Sequence, residues 1–342
     1  MKFDKILVLN QNMIGDIVLS TPVLKALRDK FPQSKISFLI SSDIAPLMEG
    51  LPFIDEVICY EKGDSLIRTI RKIWRYDVAL CLDFKYRSAV LPFFAAIPVR
   101  AGLAHKRKLF LSHFIARNDQ ESEETYEPQN MANTIERTIG LKLAIDPNTL
   151  YVAPAGAFEI KKVDELLTGW NVKKIKIAIA PWASNDSKSW GFDKYCKLME
   201  LLSKHYMVDF VIFGMASDKV KGEFKEANIY DLRGKTTLAE MTEALRRVDL
   251  FIGGCSAPLH IAAAIGVPSV ALYGATSPKH WAPRVNVSVH YDYQMCSPCD
   301  QYGCTCNGQY TCMKKIMVDE VYVKVEELIH TIKNQGDLVV LT

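Results

Sequence analysis

Ile252-Gly253-Gly254-Cys255-Ser256-Ala257-Pro258-Leu259-His260-Ile261-Ala262-Ala263-Ala264 is the stretch on which the reading of this chain turns. A short apolar strand, 250–252, runs into two glycines; Ser256 then stands where a helix N-cap belongs, and Pro258 falls in the first turn. Ala257, Ala262, Ala263 and Ala264 keep the helix thin enough to pack closely. Strand, glycine turn and close-packed helix, in that order, make one crossover of a doubly wound parallel sheet. A buried, well-capped helix would explain the cap and the alanines, but not Gly253-Gly254 followed by His260 one turn in. The exposed N–H groups and positive end of such a helix suit a diphosphate, so the stretch is read as an anion site.

The pattern extends in both directions. Strands are expected at 175–180, 208–213, 229–232 and 269–273, with helices at 192–204, 217–227, 238–246, 258–265 and 318–334. In the first half, strands at 5–9, 36–40, 57–60 and 78–82 alternate with helices at 16–30 and 65–75. The alternation weakens between 84 and 146, where a helix at 128–139 and the turn Asp146-Pro147-Asn148 stand out. Alternating short strands and helices imply parallel sheets with right-handed crossovers. At 342 residues two domains are expected. Both are α/β and Rossmann-like, 1–155 and 172–317, facing a ligand cleft, with the segment 152–171 as the passage between them. Residues 318–342 form a terminal helix and tail expected to pack back on the first domain.

Composition narrows the function classes. Hydrophobic residues make up 49% and charged residues 24%, as in a globular protein, and a net charge of +3 is too small for a general nucleic-acid binder. That charge is uneven. Residues 62–117 hold twelve Lys and Arg against Asp64, Asp77 and Asp83, and an acidic run follows (Asp119, Glu121, Glu123, Glu124, Glu127). The basic stretch either attracts an anionic partner or solvates its helices. Neither a signal-peptide core nor an apolar run of about 20 residues is present, so a cytoplasmic protein is expected.

Two further turns bear on chemistry. After the first strand comes Asn10-Gln11-Asn12-Met13-Ile14-Gly15-Asp16, which lacks the dinucleotide fingerprint G-x-G-x-x-G. Asp16 opens a helix there, either to interact with the helix amino terminus or to act as a base. After strand 175–180 comes Pro181-Trp182-Ala183-Ser184-Asn185-Asp186-Ser187-Lys188-Ser189-Trp190. Ser184 and Lys188 suit an oxyanion, although a solvated loop lysine is the simpler alternative. Asp218, four residues beyond Gly214, is placed to accept ribose hydroxyls, and Thr236 in Gly234-Lys235-Thr236-Thr237-Leu238 to line a base pocket.

Nine cysteines without a secretion signal imply reduced thiols. Cys296, Cys299, Cys304, Cys306 and Cys312 cluster, but Cys-x-Cys followed by five residues and Cys312 does not match common zinc-ribbon spacing. Reduced thiols or a facultative disulfide stand ahead of a structural metal.

Taken together, these segments resemble the lipopolysaccharide heptosyltransferases, glycosyltransferase family 9, of two-Rossmann GT-B architecture. The likeness covers nearly the whole chain. It rests on Met13-Ile14-Gly15-Asp16, on Thr21-Pro22-Val23-Leu24-Lys25-Ala26-Leu27, on Ser184 to Trp190, on Gly234 to Leu238, on Ser256 to Ala264, and on Val270 to Pro278 with Trp281. It implies an inverting, metal-independent transfer of heptose or a related sugar from an ADP-sugar to the anionic inner core of lipopolysaccharide, at the inner face of the cytoplasmic membrane. By that likeness Asp16 is the base, Asn12, Met13 and Gly15 meet the acceptor, and Lys188 neutralises the diphosphate held by Ser256 to His260. Ser184, Asp218, Thr236, Cys255 and Ala257 complete the donor side. The chain departs from the pattern at Cys255, where relatives usually carry an acidic residue, and at Ala257, often Gly; donor identity is therefore open. A non-hydrolysing nucleotide-sugar epimerase and a non-catalytic saccharide-binding module on the same architecture are the alternatives.

Overall fold

The computed structural model describes residues 2–61, 63–116, 123–170, 173–222, 224, 228–291, 294, 296–299 and 311–334. The chain divides into two compact units, Met1–Pro154 and Ala155–Thr342. The first runs β1 (Lys5–Leu9), α1 (Ile14–Leu19), α2 (Thr21–Lys30), β2 (Lys35–Ile40), β3 (Glu56–Cys59), α3 (Leu66–Lys72), β4 (Val78–Cys81), α4 (Tyr86–Phe94), β5 (Val99–Leu103), β6 (His113–Ile115) and α5 (Glu127–Ile139). Its six strands are parallel in the order β3-β2-β1-β4-β5-β6. The centre is apolar on both faces, as helices on both sides require: Ile6, Leu7, Val8 and Leu9 are wholly buried.

The second unit repeats the plan. It comprises α6 (Ala157–Leu166), β7 (Ile175–Ala180), α7 (Phe192–His205), β8 (Val208–Ile212), β9 (Ile229–Asp231), α8 (Leu238–Leu245) and β10 (Leu250–Gly254). α9 (Ala257–Ala264), β11 (Ser269–Tyr273), α10 (Pro278–Trp281), β12 (Val287–Tyr291), α11 (Thr311–Lys315) and α12 (Val318–Asn334) follow. The strand order is β12-β11-β10-β7-β8-β9, again parallel. In each sheet the order reverses beside its first strand, between β1 and β4 and between β7 and β10. Ligands of such sheets bind beyond the strand ends at that reversal, which singles out four loops.

The structure corrects the expected elements in several places. The helix expected over 16–30 is two, because Ser20 and Thr21 turn their hydroxyls back to the carbonyls of Ile17 (2.7 Å) and Val18 (2.6 Å) while Pro22 starts α2. α4, β5 and β6 fill the stretch where the alternation faded; Pro92 inside α4 obscured the helical pattern. The helix expected over 217–227 is a short 3-10 segment, Ala216–Lys221, and Ala227 lies outside the described residues. Within the segment 152–171 the units divide after Pro154, and α6 packs in the second: Val163 is wholly buried, and Asp164 pairs with Arg247 at 2.5 Å. α12 packs within the second unit. Its Val321, Val325 and Ile329 share one buried cluster with Ile177, Leu198 and Ile252 of the second unit, and Tyr206 donates its hydroxyl to Glu326 at 2.9 Å. The tail beyond residue 334 lies outside the described residues. Among the described residues no helix is long and apolar enough to cross a membrane.

Candidate functional site

The loop after β1 and the loop after β4 are tied together in the first unit. α1 begins at Ile14, with exposed Met13 at the N-cap and making no side-chain cap, so Asp16 falls in the first turn. Asn12 donates from Nδ2 to Asp16 Oδ1 at 3.4 Å, and Asn10 from Nδ2 to the Asp16 carbonyl at 3.3 Å. Behind this loop lies a buried ion pair. Asp83, two residues past β4, accepts the Gln11 amide at 2.6 Å, the Lys85 amide at 2.8 Å and the Ser88 hydroxyl at 2.6 Å. Arg107 approaches Asp83 Oδ1 at 3.3 Å, and also donates to the carbonyls of Asp83, Leu103 and Lys85.

Both members of the pair are essentially inaccessible, at 0% and 1% exposure. Burial pushes the Asp83 carboxyl above the usual carboxylate range, while Ser88, Arg107 and the amides of Gln11 and Lys85 pull the other way. Sequence reasoning missed this pair. Asp83 occupies the same position beyond a central strand as the Asp16 loop does, a signal that was available; Arg107 is indistinguishable by composition from its basic neighbours.

In the second unit the loops after β7 and β10 meet. Asn185 accepts the Ser187 amide at 3.0 Å and starts the 3-10 turn Asp186–Lys188. That turn presses on the end of β10: a Cβ built on Gly254 would lie 2.8 Å from the Lys188 carbonyl oxygen. This close approach requires the glycine. A Cβ on Gly253 would meet the Phe251 ring at 2.7 Å.

Ser256 holds the N-cap backbone geometry, yet its side chain caps nothing; its hydroxyl turns back toward the Gly254 carbonyl at 3.4 Å. The start of α9 is thus left without a side-chain cap, with Cys255 buried and Ala257 half-buried beside it. His260 is 3% exposed and its Nδ1 has no hydrogen-bond partner among the described residues. Burial, and secondarily the nearby Lys188 charge, push the imidazole down to about 4, so it is neutral at pH 7. Lys188, Gly254, Ser256 and His260 therefore form one constellation, and Ser184 is exposed on the same loop.

The other expected donor residues fare differently. Thr236 is half-buried just before α8, whose start is closed by a reciprocal box between Thr237 and Glu240. Gly234, at φ +66°, packs against Ala216 and donates its amide to the Gly214 carbonyl at 2.9 Å, joining the two turns. Asp218, expected to accept ribose hydroxyls, is 3% exposed, and its carboxylate accepts the Met215 amide at 2.8 Å. It closes its own turn, because a short side chain three residues past Met215 reaches the backbone before it reaches solvent. Arg233 was also missed: it lies over the Trp182 and Phe224 rings at 5.1 Å each and pairs with Asp231 at 2.7 Å.

Of the cysteine cluster, Cys304 and Cys306 lie outside the described residues. Cys296 and Cys299 are half-buried and Cys312 is buried, and no metal-holding group of three ligands occurs among the described residues. The segment Gly274–Ala275 gathers their surroundings: Ser297 donates to the Gly274 carbonyl at 2.8 Å and the Cys299 amide to the Ala275 carbonyl at 3.0 Å. Cys312 Sγ lies 3.0 Å from where a Gly274 Cβ would stand.

Known proteins share this architecture. The model of glycosyltransferase family 9 (heptosyltransferase) matches residues 64–309. Lipooligosaccharide heptosyltransferase 2 of Haemophilus influenzae is 28% identical over 300 residues, 81% of this chain and 85% of its own length. The glycosyl transferase family 9 structure from Veillonella parvula superposes with a TM-score of 0.80 at 21% identity, covering 96% of this chain and 98% of that one. The ADP-heptose LPS heptosyltransferase II of Escherichia coli superposes at 0.77 and 23% identity, covering 96% and 99%. At such identities the two structures speak for the fold, which is GT-B.

Proposed function

Because the chain belongs to glycosyltransferase family 9, we propose that it transfers heptose or a related sugar from an ADP-sugar to the inner core of lipopolysaccharide, with inversion and without a divalent ion. The observation that carries this reading is the meeting of the Lys188 turn with the uncapped start of α9. Backbone N–H groups at a helix start and one lysine charge together suit a diphosphate. Neutral His260 supplies a ring nitrogen behind them, and Ser184 and Cys255 border the same place. Thr236 faces the nucleoside in this reading; Asp218 supports that region through its turn.

Asp16, with Asn12, Met13 and Gly15 about it, serves the acceptor. The acceptor oxygen attacks the anomeric carbon and its proton passes to Asp16. The anomeric C–O bond breaks with its electron pair on the departing ADP, whose charge Lys188 and the helix end stabilise. Asp16 works through its placement in the first turn of α1, where Asn12 donates to its carboxylate. The reaction takes place at the inner face of the cytoplasmic membrane, where the acceptor is anchored. Cys255, in place of the family's usual acidic residue, marks the position where the donor sugar can differ from the family norm.

The test has two arms. ADP must raise the melting midpoint as a ligand of the folded state does. Mass spectrometry must show sugar transfer from ADP-heptose to purified core oligosaccharide. Asp16→Ala should lower turnover about 10²–10⁴-fold while leaving the ADP shift in place. If ADP, UDP and GDP at millimolar concentration all leave the midpoint unmoved, the donor half of the reading fails. Conversion of the donor with no acceptor present would turn it toward an epimerase.

A further inference from the structure

α3 and α4 lie side by side on one face of the first sheet, because the crossovers β3 to β4 and β4 to β5 run in the same direction with the same hand. Their inner sides are buried with Ile73, Ala89 and Leu91 in one cluster. Their outer sides are not the polar faces of ordinary solvated helices. Ile67 is 64% exposed, Trp74 48%, Tyr86 54% and Phe94 58%. Leu109, in the 3-10 turn Lys108–Phe110 that packs on α4, is 87% exposed. The rings run on without a gap: Phe93 touches Phe94 and Phe110, each at 5.3 Å between centroids, and Tyr86 touches Phe110 at 5.1 Å.

Cations are interleaved with these side chains. Arg68, Arg71, Lys72 and Arg75 are exposed along and just beyond α3, and Lys85, Lys106 and Lys108 beside α4. Arg100 lies over Phe93 at 5.4 Å, and Lys108 over Phe114 at 5.1 Å. The three carboxylates of the stretch are engaged elsewhere. Asp64 accepts the Glu61 amide at 2.7 Å, Asp77 the amides of Asp4 and Lys5, and Asp83 is buried. The cations of the stretch outnumber these three carboxylates, so it keeps a positive excess.

We propose that this α3–α4 face docks on an anionic phospholipid surface. Exposed aliphatic and aromatic side chains ringed by Lys and Arg are what an interfacial element presents, the rings settling at headgroup depth and the cations at the phosphates. A second copy of this chain would bring the same positive charge against it, which disfavours self-association through this face. The face also sits close to the chemistry. α4 begins three residues after Asp83, whose carboxylate holds the Gln11 amide of the Asp16 loop. The proposal rests on the reading of the acceptor as membrane-anchored, and it gives the basic stretch a partner besides the acceptor itself.

Flotation of the full chain with phosphatidylcholine vesicles, with and without phosphatidylglycerol, tests it. Binding should require the anionic lipid and weaken in high salt, because the attraction is screened. The combined Ile67→Ser, Phe94→Ser and Leu109→Ser variant should lose binding at least tenfold, with an unchanged melting midpoint and unchanged transfer to a delipidated, soluble oligosaccharide. Arg71→Ala and Lys72→Ala should each weaken binding roughly fivefold. Equal binding to neutral and anionic vesicles, binding undiminished in the triple variant, or a dimer in sedimentation velocity that the triple variant dissolves would each overturn the docking surface. Failure to transfer sugar to any acceptor would instead count against the enzymatic reading, and vesicle binding would still decide the surface.

Discussion

The two turns that carry the candidate chemistry are built by opposite means. The loop from Gln11 to Asp16 is fixed by charge: a carboxylate and a guanidinium, both out of solvent, brace it through the Gln11 amide. The turn from Gly253 to His260 is fixed by close approach: glycine brings backbone against backbone, and no charged side chain is buried within it. The difference follows from what each must present. An acid or base works only if one side chain is held in place, and side-chain networks do that. An anion cradle works through main-chain N–H groups, which need room, and a bulky or acidic cap would fill it.

Breaking the charged brace should give the largest effect. Arg107→Met removes the guanidinium and leaves Asp83 buried with no countercharge, so unfolding free energy should fall by about 3–5 kcal/mol. Asp83→Leu combined with Arg107→Met should recover much of that loss, because no lone charge remains. The double variant would still lack the acceptor for the Gln11 amide, so transfer should stay impaired after stability returns. Denaturant melts and turnover on the same samples check both points. A single variant as stable as the wild type, or a double variant with full turnover, would mean that the brace does not position the Asp16 loop.

The second turn has a titratable group of its own, and pH separates the two designs. His260 is held at about 4 in the fold and returns to about 6.5 when the chain unfolds. Between those values the unfolded chain takes up a proton that the folded chain refuses, so stability falls as pH drops from 6.5 toward 4. The loss approaches about 3 kcal/mol at the acid end and is absent above pH 7. His260→Asn should flatten that part of the profile relative to wild type. Bound diphosphate should favour the protonated ring, so ADP binding near pH 5 should take up protons, measurable by calorimetry in buffers of different ionisation enthalpy. Parallel profiles for wild type and variant would remove His260 from the account.

How much of this could be read in advance depended on distance along the chain. Strands such as Lys5–Leu9 and Ile175–Ala180 declare themselves by short, mainly apolar runs, and the Gly253–Ala264 turn by its glycines, proline and alanines, all within a dozen residues. The brace between Asp83 and Arg107 joins residues 24 apart, with no local pattern to mark it. Asp218 shows a second limit. Its spacing from Gly214 correctly put it in the loop after β8, but spacing carries no information on which way a carboxylate turns. α4 was hidden for a third reason: Pro92 is an ordinary helix breaker, and only the packing of Ala89 and Leu91 on the sheet overrides it.

The smallest expected effect sharpens the comparison most, because it isolates contact from charge. Gly254 does not have a positive φ, so an alanine there meets no backbone strain and would even suit a strand better. The only objection to a methyl group is the Lys188 carbonyl, 2.8 Å from where it would stand, and a carbonyl cannot swing aside as a side-chain tip can. Gly254→Ala should therefore cost about 1–3 kcal/mol, as overpacking does, and should weaken ADP binding by pushing the Lys188 turn off the start of α9. Gly253→Ala is the internal control. Its methyl group would meet the buried Phe251 ring at 2.7 Å and not the Lys188 carbonyl, so it should cost stability as well yet leave the ADP affinity nearly intact. If the two substitutions prove equal in ADP titration, the contact between the Lys188 turn and β10 is not what shapes the cradle, and the contrast between the two turns loses its physical basis.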